Sequence, residues 1–182
     1  MKKIVVLKGS PRKNGNSNRM AASFIAAAEK KGYEVKCFDT AHMNVGGCMA
    51  CNQCYKKEGN ACIYNDDFNK VASALLATDA IIIATPLYWL SFPAKLKAVI
   101  DKWSSFLVGG KNFAGKSTAL IAACGNPNAE VFQGMVYSYK KSIGLMQCRS
   151  VGEVLVPNVW NDGDIEKTDG EKLAAELADK IF

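Results

Sequence analysis

The sequence predicts an α/β fold, in which one parallel sheet of five strands carries helices on both faces. Short β-rich apolar runs alternate with longer helical patterns along the whole chain. The run AIIIAT at residues 80–85 is almost entirely apolar, as a strand buried on both faces is. The 182 residues contain no internal repeat, low-complexity tract or linker, so we expect a single domain spanning residues 1–182.

The individual elements follow from composition and periodicity. Strands are predicted at residues 3–8 (KIVVLK), 33–38 (YEVKCF), 80–85, 117–124 (STALIAAC) and 150–156 (SVGEVLV). The first helix, at 19–32, is rich in alanine and closes with Gly32. The second helix is capped by Asn65 or Asp66 and places Phe68 and Leu75 on one face. Further helices are predicted at 93–103, 130–146 and 167–182, the last of them amphipathic.

Composition narrows the functional class. The net charge of +6 is spread along the chain, which favours a small anionic ligand over nucleic acid. No run of about eighteen apolar residues exists, so no membrane span is expected. The start MKKIVVLKGS has only IVVL as an apolar run, whereas a signal peptide needs roughly seven such residues. We therefore expect a cytoplasmic protein, in which reducing conditions disfavour structural disulfides.

The loop after the first strand, GSPRKNGNSN at residues 9–18, leads directly into a helix. Backbone N–H groups at a helix N-terminus attract phosphate, and the loop adds hydroxyl, amide and arginine side chains. The alternative is an ordinary polar turn in which Ser17 or Asn16 is the N-cap. The dinucleotide fingerprint G-x-G-x-x-G is absent, which disfavours an NAD site of the Rossmann type.

Aromatic residues follow the third strand, in TPLYW at residues 85–89. Two adjacent aromatics at this edge of a sheet suit a flat conjugated ring, although a dimer contact or a cover for the core is also consistent. A phosphate site and a ring site on neighbouring strands together describe flavin mononucleotide (FMN). The loop after the fourth strand, CGNPNAE, offers Gly125 as a third contact, and Cys124 is expected to be a small buried residue.

The segment GKNFAGKS at residues 110–117 matches the Walker A pattern letter for letter. A P-loop requires a strand before it and a helix after it, and here the order is reversed. Lys116 is therefore expected to enter a buried strand and not to bind a nucleotide.

A cysteine-rich loop occupies residues 47–62, GCMACNQCYKKEGNAC. The spacing C-x2-C-x2-C resembles ferredoxin ligation of a [4Fe–4S] cluster, with a fourth cysteine further on. Zinc and a loop of free thiols remain open as alternatives. His42, the only histidine, precedes this loop and is expected to be solvated, with a ligand or proton-donor role left open.

These motifs together resemble the NAD(P)H-dependent FMN reductase branch of the flavodoxin-like superfamily. The resemblance covers nearly the whole chain and implies a three-layer sandwich with strand order 2-1-3-4-5. It assigns a phosphate-holding role to the polar loop after the first strand and a ring-flanking role to the later loops. The residues so assigned are Ser10, Arg12, Asn16, Ser17 and Asn18 for the phosphate, and Pro86, Leu87, Tyr88, Trp89 and Gly125 for the ring.

The cysteine loop is similar to the iron–sulfur flavoprotein subset of the same group. That subset carries C-x2-C-x2-C, a variable gap, a fourth cysteine and an acidic pair before a helix. The matching metal ligands here are Cys48, Cys51, Cys54 and Cys62, with a gap at the long end of the subset's range. One departure is Lys102 after Asp101, where the family usually has arginine, and we expect it to affect packing or subunit contacts.

The resemblance implies an FMN-dependent oxidoreductase that passes electrons from NAD(P)H to a quinone, azo, nitro or similar acceptor, with the [4Fe–4S] cluster as an optional relay. No side chain is expected to act as a catalytic acid or base, because the flavin supplies the reactive atoms. A homodimer or homotetramer is implied, without nucleic-acid or membrane partners. The rival is a non-enzymatic flavin and iron–sulfur electron carrier that works with ferredoxin-type proteins.

Overall fold

The computed structural model describes residues 1–182 and contains five strands and six α-helices. The strands are β1 (Lys3–Lys8), β2 (Glu34–Asp39), β3 (Ala80–Pro86), β4 (Ser117–Ala123) and β5 (Arg149–Val156). The helices are α1 (Asn16–Lys30), α2 (Phe68–Ala77), α3 (Ala94–Asp101), α4 (Ser104–Val108), α5 (Gln133–Leu145) and α6 (Gly170–Glu176). Short 3₁₀ turns lie at Thr40–His42, Ala129–Phe132, Asp164–Lys167 and Leu177–Asp179.

The strands form one parallel sheet in the order β2-β1-β3-β4-β5. The flavodoxin-like prediction is therefore confirmed in strand number, direction and order. All seven residues of β4 are buried, and β3 is buried except at Pro86, as their continuous apolar sequences predict. Edge strand β2 is partly exposed and carries charged side chains, which discourage pairing with another chain.

Alternate residues of each strand supply two separate cores. Val5 and Leu7 of β1 pack on one face, with side chains from helices α2 to α5, including the fully buried Phe68 and Tyr139. On the opposite face, Ile4 and Val6 pack against α1 and α6. None of the helices is both long and apolar enough to span a bilayer.

Four predicted helices differ from the structure in their boundaries, and one of them, 130–146, is a 3₁₀ turn at Ala129–Phe132 followed by α5 at Gln133–Leu145. The N-cap residue of α2 is Asp67 and not the predicted Asn65 or Asp66, although Asp66 Oδ1 accepts from Phe68 N. Helix α1 begins at Asn16, three residues before the predicted start, because the chain turns at Gly15. The predicted helix 93–103 breaks at Lys102 and Trp103 into α3 and α4. The predicted helix 167–182 is split by Thr168, whose Oγ1 accepts a hydrogen bond from Gly170 N at 3.1 Å and ends the preceding turn. Side-chain hydrogen bonds of this kind compete with a continuous helix.

Candidate functional site

Four loops meet at the carboxyl edge of the sheet. Gly9 N donates to Ala84 O at 2.8 Å, so the segments leaving β1 and β3 lie side by side. In the same way, the segment after β5 reaches the one after β4, since Val159 N donates to Cys124 O at 2.9 Å. The strand order reverses between β1 and β3, and sheets of this type bind ligands at that switch point. The predicted phosphate and ring loops therefore occupy the expected edge.

The start of α1 presents free backbone donors. Gly15 is the N-cap residue, and no side chain caps the helix. The N–H groups of Asn16 and Ser17 donate to no acceptor in the protein, and the first turn carries no acidic residue. Free N–H groups at the positive end of a helix dipole form an anion site. The alternative in which Ser17 or Asn16 caps the helix is therefore wrong.

The loop that precedes α1 is closely packed. Ser10, Ser17 and Asn18 are buried, and Ser10 Oγ accepts a hydrogen bond from Arg12 N at 3.2 Å. A Cβ added to Gly15 would lie 2.9 Å from Ser10 Oγ, so a larger residue would displace the loop. Asn18 Nδ2 donates to Arg12 O at 2.8 Å, while Asn18 Oδ1 is buried without a partner. An unpartnered acceptor here suits a hydroxyl donor of a bound ligand.

Two predicted phosphate residues turn towards the segment after β5. Asn16 Nδ2 donates to Asn161 O at 2.9 Å and to Val159 O at 3.3 Å, and Asn16 Oδ1 accepts from Ile165 N. Arg12 is exposed, and its Nη1 lies 3.4 Å from Trp160 O. The side-chain amide of Asn16 therefore has all its hydrogen bonds within the protein and joins the loop after β1 to the segment after β5. Only the backbone N–H of Asn16 is left to bind an anion.

The loop after β3 projects an aromatic turn. Tyr88 and Ser91 exchange two backbone hydrogen bonds of 3.0 Å, which close a tight turn over Trp89 and Leu90. Trp89 and Leu90 have φ angles of 45° and 63°, unusual for residues with side chains. Trp89 is 98% exposed at the tip, whereas Tyr88 is 42% exposed. Such a strained turn with an outward indole suits a contact surface.

Trp160 is a site residue that the sequence reasoning missed. Its ring lies against Gly125, so close that a Cβ added to Gly125 would be 2.2 Å from Cε3. Asp164 Oδ2 accepts from the backbone N–H groups of Trp160 and Asn161 at 3.2 and 2.8 Å and orders this turn. The indole is nevertheless 74% exposed. Its position in the sequence could have revealed it, because PNVW follows the carboxyl end of β5 just as the other site loops follow their strands.

The four predicted metal-binding cysteines line one cavity that follows β2. Cys48, Cys51, Cys54 and Cys62 line it together with Lys102 and residues of α4. Ala50, Asn52 and Tyr55 alternate with these cysteines and have φ angles of 50°, 53° and 59°. These left-handed residues, which cost about 1–2 kcal/mol each, turn the chain between successive thiols. The strain indicates a loop shaped for a ligand.

The cysteine loop is anchored by side chains of the following segment. The acidic pair, Asp66 and Asp67, holds the backbone just before the loop. Asp66 Oδ2 accepts from Gly46 N at 3.1 Å, and Asp67 Oδ2 accepts from Asn44 N at 2.9 Å. Asn69 holds its exit, because Asn69 Oδ1 accepts from Cys62 N at 2.8 Å. The acidic pair is therefore a structural clamp on the loop.

Lys102 and Ser105 form the opposite wall of the cysteine cavity. The Lys102 side chain is only 3% exposed and pairs with Asp66. The departure from the family's usual arginine therefore concerns internal packing. Ser105 is 2% exposed, and its Oγ has no hydrogen-bond partner. A free buried hydroxyl suits an occupant rich in hydrogen-bond acceptors, whereas the charge of Lys102 is balanced by Asp66.

The electrostatics of the thiols follow from their proximity. Burial raises the pKa of Cys54, and the neighbouring Cys62, Cys48 and Cys51 raise it further. Thiolates at this site would repel one another unless a cation bound them. No group of three or more His, Cys, Asp or Glu side chains is close enough to share a single ion.

The sequence also made predictions for Lys116, His42 and Cys124, which are assigned neither to the flavin site nor to the cysteine cavity. Lys116 lies one residue before β4 and is half-buried, so it does not enter the strand as predicted. Its Nζ donates to Leu76 O and Thr78 O at the end of α2. His42 is exposed in the 3₁₀ turn and does not line the cysteine cavity. Cys124 is buried as predicted, and burial raises the pKa of its thiol.

Comparison with known proteins agrees with this geometry. An iron–sulfur flavoprotein from Methanosarcina thermophila is 34% identical over 115 residues, which are 63% of this chain and 58% of that protein. Another, from Archaeoglobus fulgidus, is 29% identical over 185 residues, covering 98% of this chain and 81% of that protein. The chain thus spans less than two thirds of the first relative and about four fifths of the second.

A solved structure shares the fold. The crystal structure of an azoreductase from Bacillus anthracis superposes with a TM-score of 0.77, covering 99% of this chain and 100% of that one at 20% identity. The sequence profile of the NADPH-dependent FMN reductases matches residues 2–160 of the 182. The chain therefore belongs to the NADPH-dependent FMN reductase family, and its sheet has the flavodoxin-like fold.

Proposed function

We propose that this chain binds FMN at the carboxyl edge of its sheet and passes electrons from NAD(P)H to a quinone, azo or nitro acceptor. The observation that carries this proposal is the uncapped start of α1, where the Asn16 and Ser17 N–H groups stand free at the switch point. A helix N-terminus without a capping side chain is a ready site for a phosphate group. Family membership supports flavin as the cofactor that bears it.

The remaining flavin contacts come from residues around that anion site. Ser10 and Ser17 add buried hydroxyls beside the free N–H groups, and the unpartnered Asn18 Oδ1 would accept a hydrogen bond from a hydroxyl group of the flavin side chain. Pro86, Leu87 and Tyr88 would line one edge of the ring. Bound FMN supplies the hydride-accepting and electron-donating chemistry. The protein's own part is to bind, orient and cover the ring, and no acid or base side chain is invoked.

Trp160 is proposed to cover the flavin site from the β5 side. Its indole now lies on Gly125, the residue predicted for the far side of the ring. Because the indole is largely exposed, it can move without opening the core. We therefore expect ring binding to displace or stack against Trp160.

We further propose that Cys48, Cys51, Cys54 and Cys62 hold a [4Fe–4S] cluster. The four thiols surround one cavity without converging on a point. That spread suits a cluster, in which each thiolate binds a different iron, better than a single zinc ion. The free Ser105 hydroxyl supplies a hydrogen-bond donor for a group of net negative charge, and the ion pair of Lys102 with Asp66 fixes the residue that lines the cavity beside it. The names of the two iron–sulfur flavoprotein relatives point the same way.

A second subunit is proposed to cover the turn after β3. Trp89 and Leu90 are 98% and 58% exposed, and an exposed adjacent pair of large apolar residues is typical of a contact surface. The resemblance to flavodoxin-like reductases implies a homodimer or homotetramer. Sedimentation of Trp89→Ser should show smaller particles than the parent protein if this turn is the contact.

The deciding experiment is purification without oxygen, followed by the visible spectrum and assays of iron, sulfide and flavin. Bound flavin together with about four irons per chain would support both cofactors. Flavin bands without iron would overturn the cluster, and a colourless protein that cannot take up FMN would overturn the whole proposal.

Turnover separates the enzyme from an electron carrier. Steady NADPH oxidation with a quinone acceptor supports the reductase. Reduction by ferredoxin in the absence of any NAD(P)H oxidation would contradict it and favour a carrier.

A further inference from the structure

Five buried polar side-chain atoms in the protein have no hydrogen-bond partner. Two belong to the carboxyl edge of the sheet, Asn18 Oδ1 and Asp39 Oδ1, and three to the neighbourhood of the cysteine loop. Those three are Tyr55 Oη, Trp103 Nε1 and Ser105 Oγ. Among them only Ser105 belongs to a residue that lines the cysteine cavity. Buried polar groups are rarely left without partners, so each such atom calls for an explanation.

The Ser105 hydroxyl has no use within the protein. Serine in a helix often returns its hydroxyl hydrogen to a carbonyl three or four residues back, but Ser105 makes no such bond. Its own carbonyl accepts from Gly109 N at 2.8 Å, which holds the residue in α4. The side chain is too deep for bulk water, since the residue is 2% exposed. Ser105 is one of the residues that line the cavity of the four cysteines, so an occupant of that cavity is the nearest candidate acceptor for this hydroxyl.

The segment 102–105 presents other donors to the same cavity. Ser104 Oγ lies 3.7 Å from Cys48 Sγ, close enough for a weak hydrogen bond. Lys102 contributes an ammonium group, which Asp66 holds in place. The lining of the cavity thus combines four cysteine sulfurs with the hydroxyl groups of Ser104 and Ser105.

We infer that Ser105 donates a hydrogen bond to a sulfur atom of the bound cluster and thereby raises its reduction potential. This inference rests on the cluster proposed above. Reduction adds one electron to the cluster and no proton, so the reduced form carries more negative charge on its sulfurs. A donor aimed at sulfur stabilises that form more than the oxidised form, because hydrogen bonds to charged acceptors are the stronger ones. Ser105 is thus a tuning residue and not a ligand.

The test compares four proteins purified without oxygen: the parent chain, Ser105→Ala, Ser105→Thr and Ser23→Ala. Threonine keeps the hydroxyl at residue 105. Ser23 lies in α1, which packs on the opposite face of the sheet, and its hydroxyl donates to Arg19 O. Iron, sulfide and FMN are measured for each protein, and the cluster midpoint potential is then measured by dithionite titration followed by electron paramagnetic resonance.

Ser105→Ala should retain its iron and shift the midpoint to a more negative value. We expect the ratio of reduced to oxidised cluster at a fixed potential to fall about tenfold, equivalent to about 59 mV for one electron. Ser105→Thr and Ser23→Ala should keep the parent potential. Loss of iron from Ser105→Ala, with iron retained in Ser105→Thr and FMN retained in both, would also support a hydrogen bond from the hydroxyl to the cluster.

Two results would overturn the inference, and they are distinguishable. An unchanged midpoint in an iron-replete Ser105→Ala protein would refute the role of Ser105 and leave the cluster proposal standing. Absence of iron and sulfide from the parent protein would refute the cluster, and the role of Ser105 with it.

Discussion

Removing the carboxylate of Asp66 should destabilise the protein much more than removing its partner, Lys102. Asp66 Oδ2 accepts hydrogen bonds from Lys102 Nζ and Gly46 N, and Asp66 Oδ1 accepts from Phe68 N at 3.1 Å. Asp66→Ala removes all three bonds and leaves a lysine that is 3% exposed without a counter-charge. Breaking a buried ion pair from one side costs about 3–5 kcal/mol.

Lys102→Met should cost less, about 1–3 kcal/mol, because the carboxylate that remains keeps two backbone N–H donors. Asp66 is also 13% exposed, which leaves it access to water. The double variant Asp66→Ala/Lys102→Met should be more stable than Asp66→Ala alone, since the stranded ammonium group is gone. A gain in stability from the second substitution would show that Asp66→Ala destabilises the protein through the unpaired Lys102 charge and not through lost packing.

The assay is urea unfolding of cofactor-free protein with reduced thiols, followed by circular dichroism, so that unfolding is not coupled to cofactor release. In thermal unfolding, a loss of 3–5 kcal/mol corresponds to a fall in Tm of about 6–20 °C for a chain of this size. A double variant as unstable as Asp66→Ala, or an Asp66→Ala cost below about 1 kcal/mol, would refute this reasoning.

Three further predictions address the flavin site and the pH dependence of stability. Ser17→Asp places a carboxylate beside the free N–H groups of α1, so the affinity for FMN should fall at least about tenfold in a fluorescence titration. Riboflavin lacks the phosphate group and should bind nearly as it does to the parent protein. Equal losses for the two flavins would contradict a phosphate site there. In a Trp89→Phe background, which leaves Trp160 over the ring site and Trp103 buried in the core, added FMN should quench indole emission strongly, and a further Trp160→Phe change should remove most of that quenching. Equal quenching in the two proteins would place the ring elsewhere. Burial raises the pKa of Cys148 from 9.0 to about 11, so the folded state retains a proton that the unfolded chain releases. This stabilisation is complete below pH 9 and is lost as the pH rises through 11. Cys148→Ala should therefore lessen the decline in the free energy of unfolding between pH 9 and 11 by up to about 2 kcal/mol. The same decline in Cys148→Ala as in the parent protein would argue against the raised pKa.

Much of the site could be located from local sequence because a parallel sheet constrains where its loops go. The strands at 3–8 and 80–85 were recognisable from apolar composition, and the loops at their carboxyl ends then had to lie together. The resemblance supplied the strand order, and the sheet confirms it. The reversed order of helix and strand around Lys116 was likewise enough to reject the nucleotide motif.

Contacts between residues far apart in the sequence could not be predicted from local composition and periodicity. Nothing in the periodicity of 93–103 indicates a break at Lys102, because the reason for Lys102 to turn inward is Asp66, thirty-six residues earlier. The position of Trp160 on Gly125 likewise depends on how the segment after β5 folds back, which Asn16 and Asp164 control through side-chain hydrogen bonds.

The sequence by itself determined the α/β class, the edge of the sheet where the candidate flavin site lies and the four candidate cysteine ligands. These properties depend on hydrophobic periodicity and residue spacing, which are local. Only the tertiary structure decided that Asn16 fastens loops with its amide and that Ser105 stands unpartnered beside the thiols. Those outcomes depend on which polar groups find partners after packing, and that depends on the whole chain at once.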